Sequence, residues 1–485
     1  MTARTFHKAV ALTGMILLAM PASVRASGDS HARSISGESP FVEACTPASS
    51  NAGRRHMEQE TMLAVNPANP QNRAVAWIQD WSDAIVVAVT TDGGDSWRKV
   101  VPPSLNWCSG GGGFDSAINP HLAFAPDGTL YLTSLLQDSH HPTKAVVVAR
   151  STDGGVTWSA PTILEEAGPP VFLDWSWVVA DPTRPATVYA SWLAIDFEFG
   201  VGLDGQPYMR VTSIRMRFSR TVDGGRTWST PRDITSAAGR YRGPSRLVVH
   251  PDGTLVNLFG DGPSCDPFPS CIKDVTLMAS RSTDLGDTWS APVPVAATGF
   301  PPGYVDSDID RLDAPQADFP ALAPDGTIHY AWSEIAPDRS STVYLTSSRD
   351  AGRTWSDPKG IIASPVPIMN PNLAVAADGT VGLLYYDFRN DDADDDEATT
   401  DVWLATGSNA RTRHWTDTHV AGPFDARTIP YDERDPFMRE DTGSYQGIVG
   451  TEEGFAAAFT VARPLALAGP MDVFYAEIPG SGAAR

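Results

Sequence analysis

Five carboxylates stand at or just before the points where apolar runs begin: Glu60, Asp115, Asp174, Asp318 and Asp441. Gathered over one opening, such groups could cleave a glycosidic bond. One would protonate the leaving oxygen while another served as base, because like charges held close raise the pKa of one member. The same ring could instead hold a calcium ion, or be no more than solvated loop ends, and the sequence leaves the three open. Asp306, Asp308 and Asp310 alternate along a run that continues to Asp313. This alternation is that of a calcium loop, without its central glycine or closing glutamate, and makes these three the candidate metal ligands. The denser run from Asp391 to Glu397 reads as a solvated stretch or a second calcium candidate, and the pair His140 and His141 as surface. None of this chemistry requires a cofactor; calcium is the one ion that the spacing offers. Trp81, Trp107, Trp175, Trp177, Tyr208 and Tyr304 form an aromatic-rich set suited to stacking on sugars, and Trp175 is the candidate substrate contact among them.

The elements that must position these residues are set by repetition. The motif Ser/Thr-x-Asp-x-Gly-x-Ser/Thr-Trp occurs five times, starting at Thr90, Ser151, Thr221, Ser282 and Ser348. Its aspartates are Asp92, Asp153, Asp223, Asp284 and Asp350, and its closing tryptophans are Trp97, Trp158, Trp228, Trp289 and Trp355. A worn copy runs from Ser408 to Trp415, with Ala410 in the aspartate position. Copies recur every 60 to 70 residues. That is the length of one supersecondary unit, which must stack on its neighbours to bury its faces. Between the copies lie apolar hairpins closed by Asp-Gly turns, at 121–134, 247–259, 319–332 and 373–386, with looser ones at 61–77, 175–192 and 445–459. Each unit therefore reads as four strands. The fold class expected is all-β, a β-propeller of four-stranded antiparallel blades. Seven blades are favoured by seven first hairpins, with six as the alternative. The last blade has no motif after its third strand, and the segment 41–45 is expected to supply its outer strand and close the ring.

The motif resembles the Asp box, or BNR repeat, of bacterial sialidases and their relatives. The resemblance spans about residues 60–480 and is specific for the repeat alone. The aspartates read as turn devices, accepting backbone N–H bonds across each hairpin while the glycine takes a positive φ. Both tight turns of a blade point to one face, so the long connections open on the other, where ligands are expected. The resemblance implies three arginines clamping a substrate carboxylate, a tyrosine nucleophile with a glutamate partner, and an aspartate acid/base. Mapped here, Tyr445 is the candidate nucleophile, beside Glu440. Arg246, Arg389 and Arg439 are the candidate substrate arginines, and Asp318, Asp174 and Glu60 the remaining candidate carboxylates. The family's Arg-Ile/Leu-Pro motif is missing: the corresponding stretch reads Met57 to Leu63 without it.

Composition limits the partners. The net charge of −22 disfavours nucleic acid and anionic membrane surfaces, and no stretch after the N-terminus is long and apolar enough to insert in a membrane. A glycan or glycoconjugate is the expected partner. Arg4, Lys8, the apolar run 9–20 and the small residues up to Ala26 read as a secretory signal, so the mature chain is expected outside the cytoplasm. Residues 27–56 then form an extension and 57–485 the propeller. An exported chain with Cys45, Cys108, Cys265 and Cys271 is expected to form disulfides, with Cys265–Cys271 and Cys45–Cys108 favoured among three pairings. Three functions stay open: a glycoside hydrolase, with exo-sialidase the named candidate; a non-catalytic propeller binding a glycan or protein; and an envelope scaffold.

Overall fold

The structure, a computed structural model, describes residues 32–41, 55–81, 84–110, 113–138, 144–201, 207–238, 240–263, 275–298, 319–336, 338–392, 394–408, 412, 414–430 and 442–480. They form seven four-stranded antiparallel sheets. Blades 1 to 6 span 58–100, 116–167, 171–238, 240–297, 319–364 and 368–425, and blade 7 spans 447–479. The seven-bladed propeller is therefore the architecture, and the six-bladed alternative falls. No helix among the described residues is long and apolar enough to cross a membrane.

Each blade lies between two others, so its strands are apolar on both faces. The third strand of blade 1, Ala84–Thr90, reads AIVVAVT and is buried throughout. The core divides into seven apolar clusters, one at each seam between neighbouring blades.

The five boxes supply the turns and also seal the seams. In the second, Ser151 Oγ donates to Asp153 Oδ1 at 2.8 Å, and the Asp153 carboxylate accepts from Thr157 N at 2.8 Å and Thr157 Oγ1 at 2.6 Å. The same bonds recur around Asp92, Asp223, Asp284 and Asp350. Hydrogen bonds from Thr288 and Ser282 hold the Asp284 carboxyl down to about 2. The box glycine then packs against the preceding blade. A Cβ on Gly155 would lie 2.5 Å from Val89 of blade 1, and one on Gly286 2.3 Å from Phe218 of blade 3. Gly94, Gly225 and Gly352 meet Tyr475, Tyr131 and Val256 in the same way. Positive φ and a close neighbour together leave glycine as the residue that fits.

Blade 7 borrows its outer strand from the N-terminal segment, but earlier in the chain than the expected 41–45. Arg33–Ser34 pairs with Met471–Pro479, Arg33 opposite Tyr475 and Ser34 opposite Phe474. The next residues hold the closure in place: Ile35 N donates to Val473 O at 2.9 Å, and Val473 N to Ser36 Oγ at 2.9 Å. Phe41 instead fills the apolar seam between blades 7 and 1. Of the cysteines only Cys108 is among the described residues; the expected pairings, like the signal 1–26, involve residues outside them.

Candidate functional site at the channel mouth

Each blade begins with its innermost strand on the face of the long connections. These strands are Glu58–Val65, Ser116–Phe124, Val171–Ala180, Arg240–Val249, Phe319–Leu322, Ile368–Val375 and Gly447–Gly450. Near its start, the pairing of five of them slips by a bulge: at Gln59/Met62, Ile118/His121, Asp174/Trp177, Gly243/Arg246 and Met369/Asn372. Glu60, Asn119, Trp175 and Asn370, all inside these bulges, have φ between 47° and 58°, and Gly443, just ahead of the last innermost strand, has φ 94°. Left-handed backbone costs a residue with a Cβ about 1–2 kcal/mol. Its recurrence at one level of the ring marks the bulges as a device that turns side chains toward the axis.

The channel is plugged just below that level. Met62, Trp177, Phe319 and Tyr445, from the inner edges of blades 1, 3, 5 and 7, pack into one apolar cluster with the seam of blades 3 and 4. Tyr445 is 4% exposed, and its hydroxyl donates to Pro120 O in blade 2 at 2.9 Å. Burial raises its pKa well above the usual phenol value. The charge and hydrogen bond of Glu60 and the charge of Asp174 act in the same direction, and Arg246 opposes them. Glu60, Asp174 and Arg246, from three other blades, thus all lie within electrostatic reach of Tyr445. Arg246 is 2% exposed and caged by aromatic rings. Its guanidinium carbon stands 5.2 Å from the Trp175 ring centre, 4.7 Å from Trp177 and 4.6 Å from Phe319. Asp174 Oδ1 accepts from Trp175 N at 2.9 Å, which ties the carboxylate to the bulge that carries the indole.

His121 completes the cluster. Its ring lies 3.8 Å from that of Trp177, and Nδ1 accepts from Val178 N at 3.5 Å. Burial first, then the charge of Arg246, hold its pKa well below the usual imidazole value, so it is neutral at physiological pH. Toward blades 6 and 7 the lining turns to amides. Asn370 Nδ2 donates to Gly443 O at 2.6 Å and Gln446 Nε2 to Asn370 O at 2.8 Å. The oxygens Asn370 Oδ1 and Gln446 Oε1 are buried with no protein partner.

Five of the expected site residues are therefore brought together: Tyr445, Glu60, Asp174, Arg246 and Trp175. Arg389 stands apart, on blade 6. Its guanidinium is bonded to Asp387 at 2.7 Å, Asp417 at 2.8 Å and Tyr385 Oη at 2.6 Å, and lies 4.1 Å from the centre of the Trp403 ring. Glu440, Asp318, Arg439 and the candidate metal ligands Asp306, Asp308 and Asp310 lie outside the described residues. Among the described residues no three His, Cys, Asp or Glu side chains come together as a metal cluster. In the run 391–397, Asp391 and Asp395 accept the backbone N–H groups of Thr399 and Glu397. His121, Asn370 and Gln446 were not among the residues singled out from sequence. For His121 and Asn370 the signal was the repeat Asn-Pro-x-Leu at 119–122 and 370–373, which marks the bulge in two blades; Gln446 had none.

No family model matches the chain. Among curated proteins, xyloglucanase Xgh74A of Acetivibrio thermocellus is 24% identical over 311 residues, covering 61% of this chain and 32% of that protein. A xyloglucanase of Paenibacillus sp is 24% identical over 307 residues, covering 61% of this chain and 26% of the relative. The chain thus matches a third or less of the length of these relatives. Among solved structures, a Hadza microbial sialidase aligns with TM-score 0.46 and 16% identity over 84% of this chain and 74% of its own. A Penicillium chrysogenum alpha-L-arabinanase complexed with arabinobiose aligns with TM-score 0.45 and 14% identity, over 73% and 94%.

Proposed function

We propose that this protein is a glycoside hydrolase acting at the channel mouth. The observation that carries the reading is the meeting of Glu60, Asp174, Arg246 and Tyr445, each from a different blade, above an apolar plug. Two carboxylates near one buried cation can divide the roles of acid and base, and the Trp175 indole on a bulge offers a face for a sugar ring. The xyloglucanase names of the two curated relatives support a carbohydrate substrate. The neutral His121 and the amides of Asn370 and Gln446 would then meet sugar hydroxyls.

The contact between Tyr445 and Glu60 favours one specific version, the exo-sialidase. There Glu60, in the part expected of Glu440, would take the phenol proton as Tyr445 attacks the anomeric carbon. Asp174 would act as the acid and Arg246 would meet the substrate carboxylate. Against a tyrosine nucleophile stands its raised pKa, and against a full clamp stands Arg389, committed within blade 6.

A panel of fluorogenic aryl glycosides, including a sialoside, together with xyloglucan and arabinan, tests both versions on the wild type and on Glu60→Gln, Asp174→Asn and Tyr445→Phe. Turnover of a neutral glycan that falls at least about 100-fold in Glu60→Gln and Asp174→Asn, and less in Tyr445→Phe, supports the two-carboxylate mechanism. Sialoside release abolished in Tyr445→Phe supports the exo-sialidase. No turnover of any substrate by folded wild type removes the hydrolase reading in favour of a binding propeller.

A further inference from the structure

On the opposite face, among the tight turns, a cleft of about 800 Å³ opens between blades 5 and 6. Comparison with the other seams explains its place. At the seam of blades 2 and 3, Tyr131 and Arg150 stand opposite each other in register on blade 2. Tyr131 meets the next box glycine, Gly225, and Arg150 Nη1 donates to Gly224 O at 2.6 Å. Tyr189 and Arg220 repeat the arrangement on blade 3, with Arg220 reaching Leu285 O at 2.6 Å, and Val256 and Arg281 take these positions on blade 4. On blade 5 the positions are held by His329 and Ser347, bonded to each other at 2.8 Å. The box they would meet is the worn sixth copy, with Ala410 for the aspartate and Thr412 for the glycine. Both sides of this seam have therefore lost the parts that seal the seams from blade 2 to blade 5; the seam of blades 6 and 7 also lacks a box, but there Phe455 packs directly against Gly382.

We infer that this cleft is a second binding site, for a short neutral oligosaccharide. Its lining balances in charge: Asp325 and Asp378 against Arg349 and Lys359, with His329 held at about 4 chiefly by burial and so neutral at pH 7. Acidic and basic groups are thus equal in number, and the lining carries both hydrogen-bond donors and acceptors. Trp355 adds an indole wall. Polyhydroxylated rings fit such a lining, because carboxylate and guanidinium groups both bond hydroxyls and the indole covers a sugar face. The volume lies within the usual 300–1,000 Å³ of small-ligand pockets. This inference does not rest on hydrolysis at the channel mouth.

Titration calorimetry with cellopentaose, a xyloglucan heptasaccharide and arabinohexaose tests it, with trigalacturonate as the acidic control. At least one neutral probe is expected to bind. Its affinity should fall at least 10-fold in Arg349→Ala/Lys359→Ala, two exposed positions, and in His329→Tyr/Ser347→Arg, which puts the larger side chains of blades 2 and 3 into the cleft. Arg246→Met at the channel mouth should leave that component unchanged. Absence of binding by all three neutral probes, binding indifferent to both double variants, or binding of trigalacturonate alone would each overturn it.

Discussion

Tyr445 of blade 7 and Pro120 of blade 2 are joined across the top of the propeller by a 2.9 Å hydrogen bond, although blade 1 lies between them in the ring. The bond fixes the last blade to the second at the apolar plug. Replacing Tyr445 by Phe leaves the buried Pro120 carbonyl without its donor. That should cost about 1–3 kcal/mol. Chemical denaturation should show this loss with an unchanged slope, beside the change in activity.

Arg246 depresses His121 through its charge, in addition to burial. In Arg246→Met the imidazole should titrate nearer its ordinary range, an upward shift visible in the His121 ring resonances by NMR. A pKa that stays low would mean that burial alone governs it. Activity should fall at least about 100-fold in kcat/KM if Arg246 holds substrate, since a charged hydrogen bond to substrate is lost.

Gly286→Ala should destabilise the ring strongly. The added methyl meets Phe218 at 2.3 Å at a residue whose φ is +88°, so strain and overpacking combine to about 2–4 kcal/mol. Gly379→Ala, also at positive φ but with open space around it, should show only the backbone part. Thermal melts of the two variants separate the seam contact from the turn.

Glu58 is fully buried at the closure, where Gln79 Nε2 donates to it at 2.7 Å and Asp80 and Asp472 lie near. Burial, and then these two charges, push its pKa well above 4.5, while Gln79 and Ser36 pull the other way. A raised folded pKa means that its stabilising contribution is complete below the ordinary carboxylate range and is lost as pH rises through the folded value. Melting temperature should therefore fall from mildly acidic toward alkaline pH. Glu58→Gln should flatten that slope, and a slope unchanged in the variant would assign the loss to another group.

The blades were legible because each box writes its own turn: aspartate, glycine and tryptophan at fixed spacing announce a hairpin wherever they stand. Glu60, Asp174, Arg246 and Tyr445 were legible as strand-start residues, yet their meeting was not. It depends on bulges that local sequence hardly marks, and on a closure between residues 325 apart. His121 was hidden for the same reason: without the bulge at Ile118/His121 it reads as one more position in an apolar strand. Arg389 shows the opposite failure, since a rim position by sequence is filled by Asp387, Asp417 and Tyr385, which consume its donors.

The two residues Arg33 and Ser34 also impose an order on assembly. They emerge before any of the blades, and their partner strand, Met471–Pro479, only after the other six. Six blades can pair internally as they appear, but the circle stays a crescent with two open edges until the final strand arrives. Contacts so distant in sequence are slow to form and leave unpaired strand edges exposed meanwhile. Removing residues 1–35 should therefore yield a chain whose blades form but whose ends remain sticky. Self-association measured by light scattering would report the missing clasp before any loss of secondary structure did.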